Sequence, residues 1–419
     1  MSGGAALEEN FDTIVIGGGA SGIAAAISSA EHGMNTLLLE KSGRLGRKIS
    51  ASGNGRCNIM NTGLPRYYGE DGFAKEVMKR CGPKELSAFF RKYGLLLTEE
   101  REGRVYPVTM QSVSVIRALQ NALKMNHVNV FLNTGNTVVR KKGNQFVCAT
   151  EGNEYKSDKL IVCTGGAANK KLGGCSDGYR YLQSFGHHLE EVFPSLVPVK
   201  TDGKSISGLA GIRIKCCVSL MDGTDVIHSE EGEVLFTDYG LSGICVMQCS
   251  RFIRKQGLHF ELDLLSGIFS SYEDAMREIR ERRDRFADLS PVLLLEGILL
   301  PKLSFAVLKQ AGIPLRGETA SSLRDQDLEN IIKTAGHYRT DIADTQPLED
   351  AQVTAGGIKC SEFDPSTMES GIISGLFAAG EVLNVDGDCG GFNLMFAFAS
   401  GLIAGGFRGK DSSEPGGAK

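Results

Sequence analysis

Asp12-Thr13-Ile14-Val15-Ile16-Gly17-Gly18-Gly19-Ala20-Ser21-Gly22 is the stretch that decides the fold. Residues 12–16 read as a short buried strand. The alanine-rich run from Ala20 to about His32 reads as a helix stopped by Gly33, and residues 36–39 read as a second strand ending on Glu40. Strand, Gly-x-Gly-x-x-Gly turn, helix and a second strand with a terminal acid together make a β-α-β dinucleotide-binding unit. Gly17 permits the tight turn, Gly19 lets the backbone approach a pyrophosphate, and Gly22 lets helix and strand pack closely. The helix start at Ala20-Ser21-Gly22 presents free N–H groups and a positive dipole end to phosphates. Glu40 can accept hydrogen bonds from ribose hydroxyls.

The continuation separates FAD from NAD. An NAD enzyme would run on through further β-α units, whereas Lys41–Asn61 reads KSGRLGRKISASGNGRCNIMN, which is basic, small and irregular. Lys41, Arg47 and Lys48 are expected near the pyrophosphate. Ser52-Gly53-Asn54-Gly55 offers backbone donors in a turn, with Cys57 and Asn58 just beyond. A buried strand from Lys159 leads to Thr164-Gly165-Gly166. Near the C-terminus, 375–381 reads as a strand ending in the turn Gly380-Glu381, followed by a glycine-rich loop from Asp386 to Gly391 that includes Asp388 and Gly390. Residues 393–405 then read as a helix, opening with Asn393 and Leu394. Its small residues Ala397, Ala399, Ser400, Gly401 and Ala404 permit close packing. A helix N-terminus placed at the N1–C2=O edge of a flavin stabilises negative charge there. Expected to contact the cofactor are Gly17, Gly19, Ala20, Ser21, Gly22, Glu40, Lys41, Arg47, Lys48, Ser52, Gly53, Asn54, Cys57, Asn58, Val138, Thr164, Gly165, Gly166, Gly380, Glu381, Asp388, Gly390, Gly391, Asn393 and Leu394.

Several segments resemble one bacterial flavoprotein family. They are Gly46-Arg47-Lys48-Ile49, Ser52-Gly53-Asn54-Gly55-Arg56-Cys57-Asn58, Gly103-Arg104-Val105-Tyr106-Pro107, Pro194-x-Leu196-Val197-Pro198, Tyr239-Gly240-Leu241-Ser242-Gly243 and Asp386-Gly387-Asp388-Cys389-Gly390-Gly391-Phe392-Asn393-Leu394. The chain is similar in these to the family known as HI0933-like or BaiN-like, also labelled the aminoacetone oxidase family, over about residues 11–408. It departs from the family pattern at Asp238 (His), Ile244 (Pro), Asn384 (Asp), Phe392 (Tyr), Met395 (Gln) and Phe396 (Trp), which puts the substrate preference in question. The resemblance implies an FAD-dependent oxidoreductase, with reduction of a C=C bond conjugated to a ketone as its suggested activity.

The expected architecture is therefore α/β: a Rossmann-like FAD-binding domain of the glutathione-reductase type, interrupted by an inserted β-rich and helical substrate domain. The first part spans 11–190 and the second 346–408. The insertion spans 191–345, β-rich to 263 and helical from 264, and residues 1–10 and 409–419 are read as flexible ends. Within the insertion, alternation at Ile212, Ile214, Cys216, Val218 and Leu220 before Asp222-Gly223 predicts a hairpin. Helices are predicted at 272–288, 292–311 and 323–335.

Composition narrows the function classes. A net charge of −4 over 419 residues argues against broad nucleic-acid or anionic-membrane binding. No apolar run reaches the ~18 residues of a membrane span. The acidic start, Met1–Asn10, reads as neither a signal nor a transit peptide. Eleven scattered cysteines with no CxxC pair read as reduced thiols of a cytoplasmic protein, with no metal site. About half of the 53 glycines fall in the segments assigned to the cofactor.

A disulfide reductase would need a dithiol after the second strand, where only Cys57 stands. A two-Rossmann pyridine-nucleotide reductase would show a second GxGxxG, and none occurs. NAD(P)H is thus expected as a transient reductant rather than a resident cofactor, and the substrate as a small molecule. Enone reduction needs an acid for the α-carbon and donors for the enolate oxygen. Tyr106 and Tyr239 are the candidates, with His187 behind them and Arg56 as an anchor for an anion. Cys57 and Cys389 are read as packed residues beside the flavin. Two other readings stay open: a flavin oxidase of a small amine, and a non-enzymatic redox-sensing or RNA-associated flavoprotein. The sequence does not give the oligomeric state.

Overall fold

β1 (Leu7–Ile16), α1 (Ala20–Glu31) and β2 (Thr36–Leu39) form the β-α-β unit, with β1 and β2 parallel and Thr13 opposite Thr36. The structure, a computed structural model, describes residues 7–135 and 137–408. The expected flexible tail 409–419 and residues 1–6 lie outside the described range. Leu7–Asn10, expected as part of the flexible N-terminus, instead extend β1, because a partner strand reaches that far: they pair with Asn153–Lys156.

Further strands are β3 (Asn129–Phe131), β4 (Val138–Lys142), β5 (Gln145–Thr150), β6 (Asn153–Val162) and β7 (Leu376–Ala378). Among the described residues they complete a seven-stranded sheet in the order β3-β2-β1-β6-β5-β4, with β7 also on β6. β6 is long enough to serve two neighbours. Its first half takes the antiparallel hairpin β4-β5, and its last three residues take β7 in parallel. Strands buried on both faces need unbroken apolar runs, and Leu37-Leu38-Leu39 and Leu160-Ile161-Val162 supply them, all 1% exposed or less.

The last helix, α2 (Phe392–Gly405), lies against α1 with Gly401 at Ser21 and Gly405 at Ala25. Both residue numbers rise together, so the two helices run in the same direction. Phe392 therefore begins α2 roughly 13 Å ahead of the level of Ser21, at 1.5 Å per residue.

The chain divides into two compact units. One holds the described residues up to Phe193 and from Gln352 onward; the other is Pro194–Ala351. The second unit contains a closed antiparallel barrel, running Val199–Thr201, Gly240–Ser242, Asp225–Phe236, Arg213–Asp222, Leu258–Asp263, Tyr338–Thr345 and back. The segment 264–345, expected as the helical part of the insertion, ends in that last strand, which the open edges of 199–201 and 258–263 recruit. Residues 292–311 do not form one helix. A 3-10 turn at Pro291–Leu294 and a helix at Pro301–Gln310 replace it. Gly297 turns the chain at φ +84°, and Pro301, lacking an N–H, starts a helix rather than continuing one. Helices at Tyr272–Arg285 and Asp325–Gly336 complete the unit. No described helix is long and apolar enough to cross a membrane.

Candidate functional site: two helix ends and an uncovered acceptor

The sheet delivers its loops to one edge. β1 runs out to Gly17, β6 to Thr164 and β7 to Gly380, one or two residues past the C-terminal ends of parallel strands, where α/β sheets bind ligands. Gly17 has φ +111°, and a Cβ on it would stand 2.3 Å from the Cys163 carbonyl oxygen, so the turn excludes any other residue. A Cβ on Gly22 would stand 1.7 Å from the Gly17 oxygen. By contrast, nothing lies within 4 Å of the Cβ position of Gly19, the residue preceding α1. α1 has no side-chain cap and no acid in its first turn. Its positive end therefore faces open space across a bare backbone, the arrangement that admits a phosphate.

Glu40 is held in place rather than waiting free. Its Oε2 accepts from the Gly18 amide at 2.6 Å, and its Oε1 from the Ser42 amide at 2.7 Å and the Ser42 hydroxyl at 2.6 Å. A carboxylate has about four acceptor sites, so three donors leave room for one hydroxyl. Asn133 and Thr134 lie against this turn through their amides, bonded to the Ser42 and Glu40 carbonyls at 3.1 and 3.0 Å. Val138, read from the sequence as a cofactor contact, is 57% exposed on the edge strand β4. Sequence reasoning passed over Asn133 and Thr134, which carry no motif.

The basic residues each have a partner. Lys48 Nζ sits 2.8 Å from Glu381 Oε2, tying the segment after β2 to the turn after β7, while Glu381 Oε1 accepts from the Thr354 amide at 2.8 Å. The Arg47 guanidinium donates to the Lys171 carbonyl, and Lys41 lies 3.9 Å from Asp177. A Cβ on Gly166 would meet Thr354 and Glu381, whereas the Cβ position of Gly165 is open. Thr164 packs under Gly178.

The Ser52–Asn58 segment curls through left-handed backbone at Gly53, Asn54, Gly55 and Cys57. Ser52 Oγ donates to the Ile49 carbonyl at 2.8 Å. Cys57 is fully buried, and burial pushes its thiol up to about 11, so it is a packed thiol and not a nucleophile at neutral pH. Cys389 is half-buried, and burial raises its thiol too. The Arg56 guanidinium stacks 4.3 Å over the Tyr106 ring and reaches Glu100 Oε1 at 2.7 Å, a hydrogen bond that raises its pKa. Tyr106 is 6% exposed, and its ring edge lies 3.5 Å from the Cβ position of Gly53. Among the described residues its hydroxyl has no hydrogen-bond partner. Tyr239 belongs to the second unit, 43% exposed in the turn before Gly240–Ser242.

At the second pole, Gly391 (φ +106°) precedes α2, which again has neither a side-chain cap nor a first-turn acid. Asn393 secures the approach by bonding the Gly387 amide and carbonyl at 2.8 and 2.7 Å. Asn61 Nδ2 donates to the Gly390 carbonyl at 2.8 Å. Asp388, 3% exposed, accepts from the Tyr68 hydroxyl at 2.9 Å and pairs with Arg66 at 2.5 Å. Neither Tyr68 nor Arg66 was singled out in the sequence, because both lie far from the motif. Leu394 is half-buried in the first turn. The Asn58 side-chain oxygen is buried beside Gly391 with no partner. Two parallel, uncapped helix ends with an uncovered acceptor at the farther one fit a long dinucleotide with a phosphate at one end and a polar ring at the other. Among the described residues no cluster of His, Cys, Asp or Glu could hold a metal.

The profile of the family described as "HI0933-like protein Rossmann domain" matches residues 11–407. The chain is 35% identical over 400 residues to a "3-dehydro-bile acid delta(4,6)-reductase" of Clostridium scindens, covering 93% of this chain and 97% of the relative. It is 29% identical over 399 residues to a "Ribosomal RNA dihydrouridine synthase" of Escherichia coli, covering 94% and 96%. A solved structure of 3-ketosteroid delta1-dehydrogenase from Sterolibacterium denitrificans aligns over 95% of this chain and 99% of that one, at 12% identity with a TM-score of 0.48.

Proposed function

The chain belongs to the HI0933-like family, and from that premise we propose that it is an FAD-dependent oxidoreductase that reduces a C=C bond conjugated to a carbonyl, with a nicotinamide dinucleotide as electron donor. The observation that carries the reading is the pair of parallel helix ends, Gly19–Ala20 and Gly391–Phe392, offset by roughly 12 Å. A diphosphate and a flavin ring joined by a ribityl chain match that spacing. When bound, FAD supplies hydride transfer. The two relatives' names support the reaction class, since a bile-acid 4,6-diene conjugated to a 3-ketone and the uracil 5,6 bond are both alkenes conjugated to a carbonyl.

The chain's own residues hold and orient. Ala20-Ser21-Gly22 amides would hold the diphosphate and Glu40 a ribose hydroxyl. Glu381, fixed by Lys48 and the Thr354 amide, would sit by the linking chain. Enone reduction adds hydride to the β-carbon and a proton to the α-carbon. Tyr106 is proposed as the source of that proton, because its hydroxyl is uncommitted and its ring borders the Gly53 turn.

The test is anaerobic. The purified protein should be yellow and release FAD on denaturation. NADH or NADPH should bleach it, and a steroid dienone should restore the colour faster than oxygen does. Protein that cannot be loaded with FAD would defeat the proposal. Reoxidation by an unmodified ribosomal RNA fragment but by no small enone would move the substrate to nucleic acid, and fast peroxide formation with an amine would make the protein an oxidase.

A further inference from the structure

Asn58 is 92% buried by its 8% exposure, yet its Oδ1 has no hydrogen-bond partner. A carbonyl desolvated without a donor costs roughly 1–3 kcal/mol, so a native fold retains one where a ligand supplies the donor. The surroundings say which kind. The oxygen lies 2.8 Å from where a Cβ on Gly391 would stand, and Gly391 is the residue before α2. The Met60 carbonyl oxygen stands 2.5 Å from the same Cβ position, so a side-chain acceptor without a partner and a main-chain carbonyl together flank a helix end that offers donors. On its other side the Asn58 backbone nitrogen is 3.0 Å from the Cβ position of Gly53, so the turn at 52–55 closes that flank. The ligand edge that satisfies both poles presents a carbonyl to the helix and an adjacent N–H to the asparagine. That edge is an imide.

We propose that Asn58 Oδ1 is the acceptor for the N3–H of the flavin ring, while the first-turn amides of α2 face the neighbouring C2 carbonyl. The assignment rests on the flavin reading above. It makes Asn58 a flavin-binding residue whose polarity, and not only its shape, sets affinity and potential. It also explains the positive φ of Cys57, +60° for a buried non-glycine residue, which costs about 1–2 kcal/mol. The kink delivers the next residue, Asn58, into the cradle instead of along the strand that follows.

The experiment titrates the apoprotein with FAD and with N3-methyl-FAD, which lacks the donor, and reads dissociation constants by flavin fluorescence. The wild type should bind N3-methyl-FAD at least tenfold more weakly than FAD. Asn58→Ala should bind FAD about tenfold more weakly, and should bind the two flavins within threefold of each other. Asn58→Leu, which removes an uncovered carbonyl, should leave the apoprotein melting temperature unchanged or higher while weakening FAD, so lost folding cannot mimic the result. Asn58→Asp keeps an acceptor and should hold FAD within tenfold, but with a lower two-electron potential, because its charge opposes negative charge on the ring. Equal affinity of the wild type for both flavins, or a methyl penalty undiminished in Asn58→Ala, would overturn the assignment and leave the flavin reading standing. Wild-type apoprotein that takes up no FAD would overturn both.

Discussion

The α-carbon of Gly401 lies so close to Ser21 that a Cβ on it would stand 2.2 Å from the Ser21 carbonyl oxygen and 2.9 Å from its carbonyl carbon. This contact fixes the level at which the last helix rides on the first. Both helices point an uncapped end at the candidate site, so the contact also fixes how far apart those ends stand.

Gly401→Ala tests that relationship. Helix propensity alone would favour alanine by about 1 kcal/mol, but the clash is with backbone that cannot rotate away, and overpacking costs roughly 1–3 kcal/mol. The steric effect wins, so the melting temperature should fall by a few degrees and FAD affinity with it. Gly336→Ala, at the end of another helix with nothing within 4 Å of its Cβ position, is the control and should be neutral or stabilising. Equal behaviour of the two variants would refute the helix-spacing argument.

Lys48→Met should expose the dependence of Glu381 on its cation. The pair is 2.8 Å apart with side chains 28% and 18% exposed, so it is screened less than a surface pair. Losing a charged hydrogen bond there should cost about 1–3 kcal/mol and weaken FAD binding tenfold or more. Lys48→Arg should recover most of the loss. Unchanged flavin retention in Lys48→Met would mean that the pair plays no part in holding the cofactor.

Acid should loosen the first unit through His187. Its Nδ1 faces Glu362 Oε2 at 2.8 Å and its Nε2 faces Ser370 Oγ at 2.9 Å. Ser370 Oγ already accepts from the Ile372 and Ile373 amides at 3.0 and 2.9 Å, so it can only donate to the imidazole. The ring is therefore neutral with its proton on Nδ1, and burial, outweighing Glu362, lowers its pKa from 6.5. Below pH 6.5 the unfolded chain binds a proton that the folded chain refuses, so stability falls as pH drops from 6.5 toward the folded value. Glu362 resists burial through donors from His188 and His187 and titrates below its ordinary 4.5, so its contribution is lost only at still lower pH. Melting curves at pH 7.5 and 5.5 should show a larger drop for the wild type than for His187→Gln; parallel drops would remove His187 from the account.

Tyr106→Phe should retain FAD and fold normally but lower kcat for enone reduction by about 10²–10⁴, the usual worth of a general acid. Rapid-reaction measurements should place the loss in reoxidation by the enone and leave reduction by the nicotinamide untouched. A variant with wild-type kcat would return the phenol to a packing role beneath Arg56.

The sequence by itself determined the dinucleotide-binding half. Local rules suffice there: Gly17, Gly19 and Gly22 answer to a turn, an approach and a packing distance all within one β-α-β unit, and the small residues of 397–404 announce a tight helix contact. Periodicity also located the hairpin at 213–236. What the sequence left open depends on residues distant along the chain. Leu7–Asn10 become strand only because β6 is long enough to pair with them. Tyr338–Thr345 leave a helical stretch to close a barrel whose edges would otherwise be unpaired. The tertiary structure alone decided that Lys48 belongs to Glu381, that Asn133 and Thr134 bond to the turn at Glu40 and Ser42, and that Asn58 ends with an uncovered carbonyl at the start of α2. A sequence records which groups can hydrogen-bond. Only the folded chain decides which of them are left without a partner, because that depends on every segment that could have reached them.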